Sequence, residues 1–322
     1  MKEQLEQLLI DSQISKDIIN RVIDTYKEAY RLVLNNKEDY TNIGNSRVGG
    51  LPDLPPNISY PLSKNGYLFQ LVAQINLADL QSEVIKNLPK TGILYFFQLL
   101  DDDYETKVLY YNGELNELKR FEHNGQSEFL EYCEPFPAFK VNFELIPTIQ
   151  SNLLTKLIIE EYGYEVYDDL YERLNHLFCK DRRIGGNPQF ISRSPLVSAI
   201  MKRGNLSTLE TQLFDYEFYL DGKNTFERWT YWDERLADDP NNEDLKSIVK
   251  NMEDLIDFCP IFVNNRSHYQ NLLKKWHVLL VIDSIDECEM CWNDAGLLTF
   301  CVNEDDLTIN NFENVYSTVE SS

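Results

Sequence analysis

The side chains with the most chemical potential gather late in the chain. Cys288-Glu-Met-Cys291, with Cys301 and His277 nearby, offers thiolates and an imidazole, the donors a zinc ion takes. Zinc sites generally draw on two closely spaced ligand pairs, and this chain has one C-x-x-C. Structural or incidental thiols fit that count better, so neither a metal nor a cofactor is expected. A redox reading lacks the helix that opens just after such a motif. Asp283, Asp286 and Asp294 fall at strand ends or in one loop, where they could hold a cation or act as an acid–base pair. Acids in such places are also ordinary solvated turn residues, Asp294 before Ala-Gly above all. The four His (His123, His176, His268, His277) show neither H-x-x-x-H nor H-E-x-x-H spacing, and no G-x-S-x-G elbow is present. No catalytic residue is assigned.

A second pattern is a turn written twice. Residues 47–52 read RVGGLP and residues 183–188 read RIGGNP. Paired glycines allow positive φ at a tight corner, and the proline stops the chain re-entering a helix or central strand. The alternative reading is a nest. The N–H groups of Gly49 and Gly50, or of Gly185 and Gly186, would then hold a small anionic ligand beside Arg47 or Arg183. Polar Gln74 and Asn76 on a nearby strand, with Asp283, Trp292 and Asp294 from the tail, complete the candidate ligand-binding set. No phosphate loop or dinucleotide fingerprint accompanies these turns.

The elements that would position these residues follow from periodicity. Residues 1–40 read as helix: Leu5, Leu8 and Leu9, then, after Ser15, a stripe of Ile18, Ile19, Val22, Ile23, Tyr26, Tyr30 and Val33. Residues 41–147 read as a first β-rich half. In LFQLVAQINL (68–77), Phe69, Leu71, Ala73, Ile75 and Leu77 alternate with Gln70, Val72, Gln74 and Asn76. GILYFF (92–97) follows, and Asn112-Gly113 predicts a hairpin. Residues 148–180 form a helical connector. Residues 181–322 form a second β-rich half carrying an insertion at about 192–265, with a helix at 243–259 that Pro260 should end.

Three segments recur in order. RVGGLP matches RIGGNP, LVAQINL (71–77) matches VLLVIDS (278–284), and GILYFF matches GLLTFC (296–301), at offsets of 136, 207 and 204 residues. The predicted class is therefore α+β: mainly antiparallel β in two related halves, with N-terminal, central and inserted helices. The ordered set R-x-G-G-x-P, A-Q-I-N-L, G-x-L-x-F-F, a second G-G-x-P with PQFI, I-D-S and WNDAGLLTF resembles the bacterial YwqG-like family from about residue 40 onward. That family has no established activity, so the resemblance implies an architecture and no reaction. It also leads one to expect Gln before I-D-S and W-G-D-A-G near the end, where this chain has Val281 and Asn293.

Composition narrows the partners. With 53 acids against 30 bases, the net charge of −23 argues against a general affinity for nucleic acid or anionic lipid. No apolar run approaches the roughly 20 residues that span a bilayer, and six scattered Cys suit reduced thiols, so a cytoplasmic protein is expected. Charge is uneven. From Lys180 to Arg203 six bases meet one acid, whereas from Glu210 to Asp257 14 acids meet five bases. Trp229, Tyr231, Trp232, Asp233 and Glu234 lie in the acidic stretch, and aromatics rimmed by carboxylates suit a basic protein partner, such as a toxin to be neutralised. Two readings follow: a non-catalytic interaction protein, or a small-molecule binder or enzyme with a cleft between its halves.

Overall fold

Ten strands join one sheet, and their order is set less by sequence neighbours than by the two Arg-led turns. The computed structural model describes residues 1–99, 105–122, 134–175, 182–188, 190, 194–203, 235–264 and 266–320. The strands are β1 (Lys27–Lys37), β2 (Arg47–Val48), β3 (Asp53–Leu54), β4 (Gln70–Asn76), β5 (Ile93–Gln98), β6 (Thr106–Tyr111), β7 (Lys119–Arg120), β8 (Phe139–Thr148), β9 (Arg183–Gly185), β10 (Trp276–Asp283), β11 (Leu297–Asn303) and β12 (Tyr316–Glu320). The sheet runs β12-β11-β10-β9-β1-β8-β2-β4-β5-β6, with β3 and β7 paired separately. Its pairings are antiparallel in every register observed. The architecture is mainly antiparallel α+β, as its alternating apolar runs require.

The chain separates into two compact units, Met1–Ile191 with His277–Ser322, and Ser192–Trp276. In the first, the sheet curls almost closed. Thr106 Oγ1 on β6 and Ser317 Oγ on β12, at opposite ends of the strand order, are 2.6 Å apart. The enclosed core draws Val48, Ala73, Leu94 and Phe96 from one half and Ile184, Leu280, Leu298 and Phe300 from the other. Phe96 and Phe300 meet edge to face at 5.1 Å. A separate apolar layer joins α1 (Lys2–Asp11) and α2 (Lys16–Ile23) to α3 (Ser151–Tyr162) and α4 (Tyr164–Asn175). A third cluster, with Leu54, Phe69, Leu71, Tyr95 and Phe97, covers the other face of β4 and β5. The second unit contains α5 (Pro195–Lys202), α6 (Glu243–Asn264) and α7 (Arg266–Lys274), with the Arg203 guanidinium 5.7 Å from the Trp276 ring. A last short helix, α8 (Glu304–Leu307), follows β11.

Pairings on one side of the sheet have counterparts on the other. Arg47 faces Gln74 as Arg183 faces Val281. Ile93 faces Tyr111 and Phe97 faces Lys107, as Leu297 faces Glu320 and Cys301 faces Tyr316. Leu77 N–H donates to Gly92 O at 2.9 Å where Ser284 N–H donates to Gly296 O at 3.1 Å.

Four expectations change. The N-terminal helix ends at Ile23, and Tyr30 and Val33 belong to β1. The β-branched and aromatic residues there match a two-residue period as well as a helical one, and pairing with β8 and β9 decides. β4 does not keep one face: a bulge between Leu71 and Ala73 sends Phe69 and Leu71 to the outer cluster and Val72, Ala73 and Ile75 to the enclosed core. Asn112-Gly113 makes no two-residue hairpin. Neither residue takes the positive φ such a turn needs, and β7 pairs with β3 rather than β6. Pro260 lies inside α6, which continues to Asn264, so the helix tolerates one missing N–H there.

Candidate functional site

The densest polar constellation in the first unit surrounds the first repeated turn. Gly49 and Gly50 sit at φ +73° and +79°. Their N–H groups donate to Val72 O and Phe136 O, both at 2.8 Å. A Cβ on Gly49 would lie 2.4 Å from Pro137 O, and one on Gly50 would lie 2.5 Å from the Tyr40 hydroxyl. Arg47 folds back over this corner. Its Nη2 donates to Leu51 O and to Gln74 Oε1 (3.0 Å), and its Nη1 donates to Asn45 Oδ1 (3.0 Å) and Asp53 Oδ2 (2.9 Å). Asp53 also accepts from Gly44 N–H (2.8 Å), Gln74 Nε2 (3.1 Å) and Arg120 Nε. The Asp53 N–H returns to Gln74 Oε1 at 2.8 Å, and the Tyr95 hydroxyl donates to Asp53 O. Arg47, Asp53 and Gln74 are each 0% exposed.

Burial alone would raise the Asp53 carboxyl, but hydrogen bonding to Arg120 and the charge of Arg47 outweigh it and hold the group below its usual value. Burial, then the Asp53 charge, pushes the Tyr95 phenol up. The carboxylate stays ionised and its acceptor positions are taken, so it is poorly suited to receive a proton near neutrality. The cluster acts as a brace tying the turn to β4, β5 and β7.

The second turn repeats the backbone. Gly185 and Gly186 have φ +78° and +79°, and Arg183 Nη2 donates to Asn187 O at 2.6 Å, the same bond four residues on that Arg47 makes to Leu51. Asn187 N–H donates to Thr148 Oγ1 at 3.0 Å, and a Cβ on Gly186 would meet that oxygen at 2.8 Å. Among the described residues the Gln74 contact has no counterpart, because Val281 faces Arg183 where Gln74 faces Arg47. The Asp53 counterpart is Gln189, outside the described residues. β2 and β9 are separated by β8 and β1, three strand steps or roughly 14 Å. The structure therefore gathers Arg47, Gly49, Gly50 and Gln74 in one place and Arg183, Gly185 and Gly186 in another. Asn76 caps its strand end, accepting from Ala78 N–H (3.1 Å) and donating to Gly44 O (3.1 Å).

The tail residues form a third group. Asp283 pairs with Arg182 at 3.2 Å, and its carbonyl accepts from Trp292 Nε1 at 3.0 Å. Trp292 is wholly buried, 6.1 Å from Phe136, whereas Asp286 and Asp294 are exposed. Asn293 takes φ +52°, a left-handed conformation open to Gly or Asn, which explains how Asn replaces the expected Gly. Cys288 and Cys301 are buried thiols and Cys291 is exposed. Burial pushes Cys288 up to about 12. Burial, then Lys27, lowers the His277 imidazole. Among the described residues no three His, Cys, Asp or Glu side chains are placed to hold a metal ion. His123, His176 and the partner candidates Trp229, Tyr231, Trp232, Asp233 and Glu234 lie outside the described residues.

The family model for a domain of unknown function, DUF1963, matches residues 46–320. The chain belongs to that family. No curated protein matches it. The matched span starts one residue before Arg47 and ends with β12, so among the described residues it holds every strand except β1. The description of that family assigns it no reaction.

Sequence reasoning missed Asp53, Tyr95 and Arg120. A signal existed for the first: Asp53 directly follows the G-G-x-P of one turn, and its counterpart after the other is not an acid. Arg120, 73 residues from Arg47 in the chain, carried none.

Proposed function

We propose that the chain is a non-catalytic binding protein whose partner is a basic protein. The observation that carries this is where the charges lie. The most elaborate polar centre in the first unit is sealed, while acids crowd the surface. From Glu160 to Glu172, six acids (Glu160, Glu161, Glu165, Asp168, Asp169, Glu172) are exposed with no base between them, beside Tyr164 at 70% exposure. Lys156 and Arg173 reach this run only at 4.0 and 3.9 Å. Such a face speeds capture of a cationic partner and makes association salt-sensitive. The acidic sequence stretch 210–257, whose residues 210–234 lie outside the described residues, is the second candidate segment. No described helix is long and apolar enough to cross a membrane.

The test is a pull-down with tagged full-length protein from the native host at low salt, eluted by a salt step, with proteins and small molecules both identified. The reading expects a stoichiometric basic protein in the salt eluate. Recovery of a small anion with no protein would move the function to the Arg-led turns.

We also read the two halves as descendants of one duplicated segment of the YwqG-like type. The support is that turn geometry and strand register recur at the offsets that align the sequences.

A further inference from the structure

Strand β1 stands apart. It lies outside the matched span 46–320 and precedes the first Arg-led turn, yet it forms no ladder with β2 of that turn. Its neighbours are β8 and β9. β8, in turn, precedes the second turn but pairs with β2 of the first. Each turn thus receives the strand that precedes the other.

The register is that of a two-fold axis. Tyr30 faces Ile184 as Phe139 faces Val48, and Arg31 faces Arg183 as Lys140 faces Arg47, which sets β1 and β8 in correspondence at an offset of 109 residues. The same offset carries Val33 to Asn142, and Asn142 is the residue Val33 faces. A residue facing its own counterpart is the signature of an isologous contact between equivalent partners. Phe96 and Phe300, equivalent at the offset of 204, face each other in the same way.

We propose that the first unit is an internal dimer in which segment 27–111 and the segment formed by 139–191 with 277–320 hold each other through exchanged first strands, so that the covalent link between residues 111 and 139 is dispensable once the chain has folded. The helical layer adds to the lock. Ser15 N–H donates to the Tyr162 hydroxyl at 2.8 Å and Arg173 Nη1 to Ser12 Oγ at 2.7 Å. This proposal rests on register and stands apart from the binding role.

The experiment introduces a protease recognition sequence after Gly113, where Asn112 to Glu114 are exposed, and cleaves the full chain after it has folded. The two pieces are expected to elute together as one particle, with an unchanged far-ultraviolet spectrum and one unfolding transition. Pieces that part in native buffer, or that melt separately, overturn the proposal. Hydrogen exchange on the uncut chain decides independently of the insertion. The paired amides of β1 and β8 are expected among the slowest, with those of β5 and β10. Opening of the β1–β8 ladder while β5 and β10 stay protected contradicts the interlock.

Discussion

Replacing Asp53 by Asn tests whether the Arg47 centre is a brace. The substitution keeps the shape and removes the charge, leaving a guanidinium with no exposure opposite a neutral amide. Removing one partner of a buried ion pair costs about 3–5 kcal/mol, because the remaining charge stays desolvated. Native stabilities are typically about 5–15 kcal/mol, so the loss is a large share of the total. Urea unfolding at pH 7, followed by the fluorescence of buried Trp276 and Trp292, reads it directly. The Asp39–Lys140 pair, 2.9 Å apart but with Asp39 more than half exposed, is the control, and Asp39→Asn should leave the midpoint unmoved. Acid adds a signed test. Asp53 is held below its unfolded value of roughly 3.9, so its contribution is complete above that pH and fades as pH falls through the folded value. The Asp53→Asn protein should accordingly have a shallower acid limb than wild type. A cost under about 1 kcal/mol for Asp53→Asn would refute the brace.

Further outcomes follow from the turns and thiols. Gly49→Ala should lower the unfolding midpoint more than Gly185→Ala, since its Cβ meets Pro137 O at 2.4 Å whereas the other meets the Val84 side chain at 3.0 Å. Parallel urea titrations decide. Asn293→Ala should destabilise by about 1 kcal/mol and Asn293→Gly should not, because φ is +52° there. Equal losses would contradict the left-handed assignment. Brief maleimide treatment of folded protein, mapped by peptide mass, should label Cys291 and spare Cys288 and Cys301 until urea is added.

Much of the sheet was legible because β4, β5, β10 and β11 are short runs of apolar and β-branched residues with turn residues at their ends. The paired Arg-Gly-Gly turns marked β2 and β9. What escaped depended on tertiary pairing. Tyr30 and Val33 fit a helical stripe until β8 and β9 claim them. The bulge at Val72 is invisible to an alternating pattern, because the apolar alternation runs unbroken through it, Phe69 and Leu71 facing one cluster and Ala73 and Ile75 the other. At the candidate site, Arg47 and Gln74 were found as polar residues near a glycine turn. Asp53 and Arg120 add a buried brace around them: Nη1 and Nη2 of the guanidinium are engaged by Asn45, Asp53, Leu51 and Gln74, and the side chain is wholly buried. Asn293 was legible only through its φ.

The proposed binding role is tested most directly by comparing two triple charge reversals against the captured basic partner across ionic strength. Glu165→Lys with Asp168→Lys and Glu172→Lys reverses one face of α4. Glu287→Lys with Asp294→Lys and Glu313→Lys makes the same change in net charge at exposed acids elsewhere. Loss of affinity and of salt dependence in the α4 variant, with near wild-type binding in the other, is the predicted result. Equal binding by both variants and wild type at low salt would contradict the acidic-surface account.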